Sequence, residues 1–429
     1  MLVRIVIMEN QKIWSRKMND KLIIEMSQKH SYDWQLKILI LTWEYPPNVV
    51  GGLSRHVYGL SVHLAEQGHE VHVVTAGNGC LSGFEIMDGV HVHRVTPLNN
   101  HDDDFLSWIA GLNLAMSFKG EILAEDIKFD IVHAHDWLVG SAAITLKEVL
   151  SIPLLSTIHA TEHGRNNGIF TDMQRFIHER ELQLITESDQ VIVCSNYMRE
   201  ELLANFHLSD KKMSIIPNGI EQSDVKVNPN EVYRFIKNRK YIFSVGRIVK
   251  EKGFETLIEA AQAAKDKGQD IYFVIAGKGP MLERYRKMVT EKQLDHHIAF
   301  IGYVTDDQRN ALLVNCEIAV FPSLYEPFGI VALEAMILAK PTIVSETGGL
   351  KGIVMDRQTG LLMVPGDQES LLTNIDFLLQ DPQTAKEIGI KGMKIVKSLY
   401  GWKRIASQTV NVMEDTLLNK RANMSEKAR

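Results

Sequence analysis

Short apolar runs alternate with amphipathic stretches along most of the chain. The first series is KILILTW (Lys37–Trp43), EVHVVTA (Glu70–Ala76), IVHAHD (Ile131–Asp136), LLSTIH (Leu154–His159) and QVIVCS (Gln190–Ser195). Between these runs, Leu53–Gln67 and Met173–Thr186 space their apolar residues for one buried helical face. A second series follows: YIFSVG (Tyr241–Gly246), IYFVIAG (Ile271–Gly277), IAFIGY (Ile298–Tyr303), IAVFPS (Ile318–Ser323) and TIVSE (Thr342–Glu346), again separated by helical patterns. Runs that are apolar through most of their length, with helices between them, predict parallel strands covered on both faces. Ser223–Lys240 is mostly polar, contains Pro229 and lacks a strand period, which predicts a domain boundary. The expected architecture is therefore α/β: two doubly wound, parallel-sheet domains facing each other, with ligands bound beyond the carboxyl ends of the strands in the cleft between them.

This reading divides the chain into an extension over 1–36, a first domain over 37–222, a second over 223–399, and a polar, mobile tail over 419–429. A helical pattern over Tyr400–Leu418, with Trp402, Ile405 and Val410 on one face, completes the first domain. A length of 429 residues is too long for one core and agrees with two or three domains. Composition is that of an ordinary globular protein, with 45% hydrophobic and 23% charged residues. The net charge of -6 offers no basic excess for nucleic acid or anionic membrane, so an anionic substrate needs a local basic pocket. The 3 cysteines, Cys80, Cys194 and Cys316, are too few and too far apart for a disulfide framework or a zinc cluster. No run approaches the roughly 18 to 20 apolar residues of a membrane span, and Met1–Ile7 is too short for a signal-peptide core. A soluble, cytoplasmic protein is expected.

Candidate chemistry gathers after the predicted strands. Gly51-Gly52 precede a helix, where backbone N–H groups can approach a phosphate or a sugar hydroxyl; a plain chain-reversing turn is the alternative. No G-x-G-x-x-G follows the first strand, and Leu282 breaks that fingerprint after Gly277-Lys278-Gly279, which disfavours a dinucleotide site. Gly246-Arg247 and Lys252-Gly253 put two cations at the mouth of a strand, suited to a diphosphate; a solvated face around Glu251 is the competing reading. Glu326-Pro327-Phe328-Gly329-Ile330 leads into a helix expected to run from Phe328 or Gly329 to about Ala339. Glu334 lies two turns in, about 12 Å along the axis were all of it helical. Salt bridges near a helix start explain Glu326 but explain Glu334 poorly, because Ile330, Val331, Leu333, Met336 and Ile337 mark the helix as buried.

His133 and His135 share a strand face ahead of Asp136, yet no third metal ligand stands at convincing spacing, so they read as core or cleft-lining. His159 is also placed for the cleft, with Thr161, Glu162 and His163 after it. Asp102-Asp103-Asp104 reads as a solvated loop rather than a metal site.

Taken in order, WEYPPNVVGGLSRHV (Trp43–Val57), HAHDW (His133–Trp137), TIHATEHGR (Thr157–Arg165), IPNGI (Ile216–Ile220), VGRIVKEKG (Val245–Gly253) and EPFGIVALE (Glu326–Glu334) resemble the retaining glycosyltransferases of the GT-B fold, family 4 (group 1), closest to the glycogen- and starch-synthase-like branch. The resemblance covers Lys37 to about Leu418. It departs at Ser54, where the family more often has glycine or alanine, and has no counterpart before Lys37.

The resemblance implies roles for matching residues. Arg247 and Lys252 would hold the donor diphosphate, with the Gly52 N–H on the phosphate side and Gly51, Gly246 and Ile330 among the donor-binding residues. Glu334 would bind the ribose hydroxyls. Glu326, with the N–H groups of Phe328 and Gly329, would grip the transferred sugar, and Asp136 and His159 would line it from the other domain. The implied chemistry is front-face transfer with retention, with no protein nucleophile, no cofactor and no metal, since Arg247 and Lys252 supply positive charge. Donor and acceptor are implied to be ADP- or UDP-glucose and an α-1,4-glucan or maltooligosaccharide. The alternative is a family 4 transferase acting on another cell-surface, spore-coat or lipid-linked acceptor. An epimerase, a phosphorylase (for which no pyridoxal phosphate lysine stands out) and a non-catalytic glycan-binding protein share the fold class and remain as rivals. Residues from both domains meeting at one site imply hinge closure.

Overall fold

The computed structural model describes residues 35–427, except 78–80, 82, 100–103, 223–227, 229–232, 234–235 and 238; beyond 422 only the helix backbone is described. The extension over 1–36 (Gln35 and Leu36 aside), Cys80, Asp102-Asp103 and most of the Ser223–Lys240 boundary lie outside the described residues.

Two sheets carry the fold. The first holds β1 (Lys37–Leu41), β2 (Glu70–Ala76), β3 (Phe84–Met87), β4 (Val90–Val95), β5 (Ile131–His135), β6 (Leu154–Ile158), β7 (Gln190–Val193) and β8 (Met213–Ile215). The second holds β9 (Ile242–Val245), β10 (Phe273–Ala276), β11 (Ile298–Gly302), β12 (Ile318–Phe321), β13 (Thr342–Ser345) and β14 (Leu361–Met363). Their strand orders are β3-β4-β2-β1-β5-β6-β7-β8 and β11-β10-β9-β12-β13-β14. Every pairing is parallel except the β3–β4 hairpin. This is the GT-B arrangement of two doubly wound α/β lobes.

All ten strands expected from the apolar runs are present, but most runs overshoot the ladder by a residue or two. The overshoot is informative: Trp43, Asp136, His159, Ser195 and Gly246 stand just beyond strand ends, where the chain leaves the sheet. Four strands are additional. β3 and β4 form an edge hairpin around Asp88-Gly89, both at positive φ, and β3 is too exposed to read as an apolar run. β8 and β14 span only three residues each, too few to show a period.

In each sheet the order reverses once, between β1 and β5 and between β9 and β12. A crevice opens at such a reversal, because the connections leave in opposite directions. The candidate residues follow these four strands: Gly51-Gly52 after β1, Asp136 after β5, Arg247 and Lys252 after β9, and Glu326 after β12.

The last helix runs Trp402–Lys427, past Leu418 and through the segment expected to be a mobile polar tail. It returns to the first lobe and packs on the helix Gly52–Glu66. Trp402 is the wedge: a Cβ added at Gly59 or Gly219 would lie 2.3 Å from its ring. Among the described residues, no helix is long and apolar enough to cross a membrane.

Candidate functional site

The loop after β1 is organised by a residue that the sequence analysis does not single out. Glu44 is buried, and its carboxylate accepts from the N–H groups of Val50 (2.5 Å), Gly51 (3.0 Å) and Ser54 (3.3 Å). Burial pushes its pKa up, while those three donors pull it back. The Gly51 N–H is thereby engaged within the loop. Gly52 opens the helix Gly52–Glu66, whose first-turn N–H groups have no intrahelical acceptor. Ser54, the departure from the family pattern, is fully buried and its hydroxyl has no hydrogen-bond partner among the described residues.

Asp136 follows β5 at φ 61, a conformation in which its carboxylate turns back to accept the His159 N–H at 2.8 Å. Burial raises its pKa to about 6, against the pull of Arg165 and of that N–H. His159 sits at the end of β6, its Nε2 3.1 Å from Nδ1 of His135. Burial, helped by repulsion from Arg165, lowers the His159 pKa to about 4, so the ring is neutral at pH 7. His133 and His135 do share a face and are fully buried, with ring centroids 4.3 Å apart.

A further imidazole comes from His56, on the helix after the glycine pair, and it groups with His135 and His159 rather than with the His133–His135 pair. One ring nitrogen from each of His56, His135 and His159 lies within 4.8 Å of the others. Two of the three already bond each other. Asp104, from the acidic triplet, caps the helix Phe105–Asp126 by accepting from the Ser107 N–H.

In the second lobe, Lys252 Nζ lies 2.6 Å from Glu326 Oε2, and the Ser323 hydroxyl donates to the same oxygen at 3.2 Å. Glu326 is almost wholly buried, so this pair is a strong one. Arg247 is over half exposed and pairs with Glu251 at 3.2 Å. The helix expected from Phe328 or Gly329 to about Ala339 forms, shorter by one or two residues at each end. Gly329 stands at φ 112, and the helix spans only Ile330–Ile337. Glu326 therefore belongs to a loop and Glu334 to a helix, and they engage different partners. The loop rests on Gly348-Gly349, also unmarked in the sequence analysis. Gly349 N–H donates to the Glu326 carbonyl at 2.8 Å, and Gly348 stands at φ +51 where a Cβ would come within 2.0 Å of that carbonyl oxygen.

Among the described residues, the lobes touch through several pairs, of which four bear on the site. The Ser195 hydroxyl donates to the Pro327 carbonyl at 2.7 Å, after β7 and before the helix respectively. Thr161 donates to Glu201, whose same oxygen receives the Tyr325 hydroxyl at 3.4 Å. A Cβ on Gly52 would meet Ile330 Cδ1 at 3.2 Å. Arg55 reaches Glu334, Nη1 to Oε1, at 2.8 Å. Asp136 and Glu326, one from each lobe, both raise the Cys194 thiol's pKa, with burial as the larger cause. Asp136, His135 and His159 thus stand at strand ends of the first lobe, and Arg247, Lys252 and Glu326 after strand ends of the second.

An uncharacterized glycosyltransferase of Methanocaldococcus jannaschii is 36% identical over 385 residues, covering 88% of this chain and 97% of that one. The chain belongs to the family 4 glycosyltransferases. The model of Glycosyltransferase Family 4 matches residues 50–224, and that of Glycosyl transferases group 1 matches 229–395. The glycogen synthase of Mycobacterium tuberculosis is 33% identical over 396 residues, covering 88% of this chain and 94% of the relative. The catalytic domain of starch synthase IV from Arabidopsis thaliana, solved with ADP and acarbose bound, shares the fold at a TM-score of 0.73 and 17% identity, covering 90% of this chain and 100% of that one.

In this glycosyltransferase the residues singled out from the sequence follow the ends of β1, β5, β6, β9 and β12, with Gly52, Ile330 and Glu334 on the helices that come next. What sequence reasoning missed is the supporting set: Glu44, Arg55, His56, Ser195, Glu201 and Gly348. Glu44, Arg55 and His56 lie inside the quoted WEYPPNVVGGLSRHV, where the paired glycines drew attention from the charged residues around them. Ser195 and Glu201 carry no local signal; their partners, Pro327 and Tyr325, come from the other lobe.

Proposed function

We propose that this glycosyltransferase moves a glucosyl unit from ADP- or UDP-glucose to an α-1,4-glucan, with retention at the anomeric carbon. The observation that carries the reading is the Lys252–Glu326 pair, set beside Arg247 at the strand reversal of the second lobe, with Asp136 and His159 placed at the reversal of the first. Lys252 and Arg247 take the donor's diphosphate. Glu326 and the N–H groups that begin the helix at Ile330 hold the sugar's hydroxyls, and Glu334 holds the ribose.

In the transfer step the bond from the anomeric carbon to the β-phosphate oxygen breaks, its electron pair leaving with the nucleoside diphosphate. Lys252 and Arg247 offset the charge gained there, as preorganised cations in a cleft do. The acceptor hydroxyl attacks from the same face, and its proton passes to the departing phosphate oxygen. Buried, neutral His159 and the Asp136 carboxylate border the sugar from the first lobe. A glucan acceptor is supported by the glycogen synthase relative and by the acarbose in the starch synthase structure.

Mass spectrometry of the purified protein with each donor, with and without a short maltooligosaccharide, tests this. The expected result is a ladder of products each longer by one hexose, with one donor faster. Nucleotide release without a ladder would overturn the glucan acceptor while keeping the donor site. No consumption of either donor would overturn both.

A further inference from the structure

Glu334 lies on an otherwise apolar helix and is 5% exposed. Its Oε1 is held by two guanidinium groups: Arg55 Nη1 at 2.8 Å and Arg309 Nη1 at 3.4 Å. Both arginines also bind Asp306 Oδ1, Arg55 through Nη2 at 2.5 Å and Arg309 through Nη1 at 2.8 Å. The other oxygen, Oε2, is buried and has no hydrogen-bond partner among the described residues. A buried carboxylate oxygen left without a donor is costly, so this split calls for an explanation.

Arg309 and Asp306 belong to the helix Asp306–Asn315 of the second lobe, as Glu334 belongs to that lobe. Arg55 does not. It sits in the first turn of Gly52–Glu66, next to the point where Gly52 meets Ile330. Its planar fork is the element that can bind two carboxylates on two helices at once, which a lysine ammonium cannot reproduce.

We propose that Arg55 is a cross-cleft strap: a positioning residue that holds Oε1 of Glu334 so that Oε2 is aimed at the donor's ribose hydroxyls, and that couples ribose capture to closure of the two lobes. The proposal rests on the reading of Glu334 as the ribose carboxylate. When the cleft opens, Arg55 leaves with the first lobe and Glu334 keeps only the longer contact to Arg309. When ribose hydroxyls donate to Oε2, they hold the carboxylate in the orientation that Arg55 needs. Each event favours the other by the same factor, as linkage requires.

The test is calorimetric binding of ADP and UDP, and of their 2′,3′-dideoxy forms, to the full chain and to Arg55→Gln, Arg55→Lys and Glu334→Gln. Small-angle scattering of each unliganded protein accompanies it. The unaltered protein is expected to prefer the ribose forms strongly, and Glu334→Gln to lose that preference. Arg55→Gln should lose roughly tenfold in affinity for the ribose form of the preferred nucleotide and little for its dideoxy form, consistent with one charge-assisted contact. Arg55→Lys should fall between. The Arg55→Gln protein should also show a larger radius of gyration before nucleotide is added. Arg55 is partly exposed, so these variants should fold.

A full ribose preference in Arg55→Gln, beside a normal preference in the unaltered protein, would overturn the strap and leave the Glu334 reading intact. Equal losses for ribose and dideoxy forms would place Arg55 on the phosphates and overturn it as well. An unaltered protein indifferent to the ribose hydroxyls would overturn both.

Discussion

Lys252 and Glu326 show how a residue's neighbourhood decides what its replacement does. Lys252→Ala removes the proposed leaving-group cation and also strips the nearly buried Glu326 of its strongest partner, leaving the Ser323 hydroxyl. Turnover should fall on the order of 10²–10³-fold, as when one preorganised stabilising donor is lost. Stability should drop by about 1–3 kcal/mol from the unpaired carboxylate. Steady-state rates beside circular dichroism and a melting curve check both; a normal rate would remove Lys252 from the site.

The buried histidines set a second expectation at this scale. His159 and His133 are held down to about 4 and about 3 by burial, against an ordinary 6.5. Between pH 6.5 and those values the unfolded chain binds protons that the folded chain does not, so stability should fall as pH drops through that window. Asp136 acts with the opposite sign, since burial raises it from 3.8 to about 6 and the folded state holds its proton first. Melting temperature should therefore decrease from pH 7 to pH 5, and decrease more steeply in Asp136→Asn. A flat profile in both proteins would contradict this assignment of buried neutral imidazoles.

At the level of elements, the strands were legible and the loops that follow them were legible only in part. Ten apolar runs show as strands because parallel strands covered on both faces need no polar alternation. The EPFG segment was read as a helix start, and its apolar residues did predict a buried helix. The support of the loop before it was not legible, because it comes from the distant Gly348-Gly349 against the Glu326 carbonyl. Gly348→Ala is the matching test. Its φ of +51 and the 2.0 Å approach leave no room for a methyl group, so the loop must shift. Transfer should fall at least tenfold through misplacement of Glu326, with a modest loss of stability of about 1–3 kcal/mol. Unchanged kinetics in a stable Gly348→Ala protein would mean that the loop tolerates the shift.

For the whole molecule, the last helix ties the chain back to the first lobe. Trp402 is 8% exposed and sits against Gly59, Gly219 and the His56 ring, beneath the histidine cluster. Trp402→Ala opens a cavity there, and should cost about 3–5 kcal/mol. Chemical denaturation should show the loss, and a change below about 1 kcal/mol would mean the helix contributes little to the first lobe. The sequence alone determined the fold class, the strands that lead to the candidate site and the carboxylates and cations that follow them, because those features repeat with a local period or sit next to a strand end. Tertiary structure alone decided which charge faces which. Arg55 meets Glu334, Ser195 meets Pro327 and His56 joins His135 and His159 only when separate helices and lobes come together. No local period encodes such pairings, since each is a contact between residues far apart along the chain.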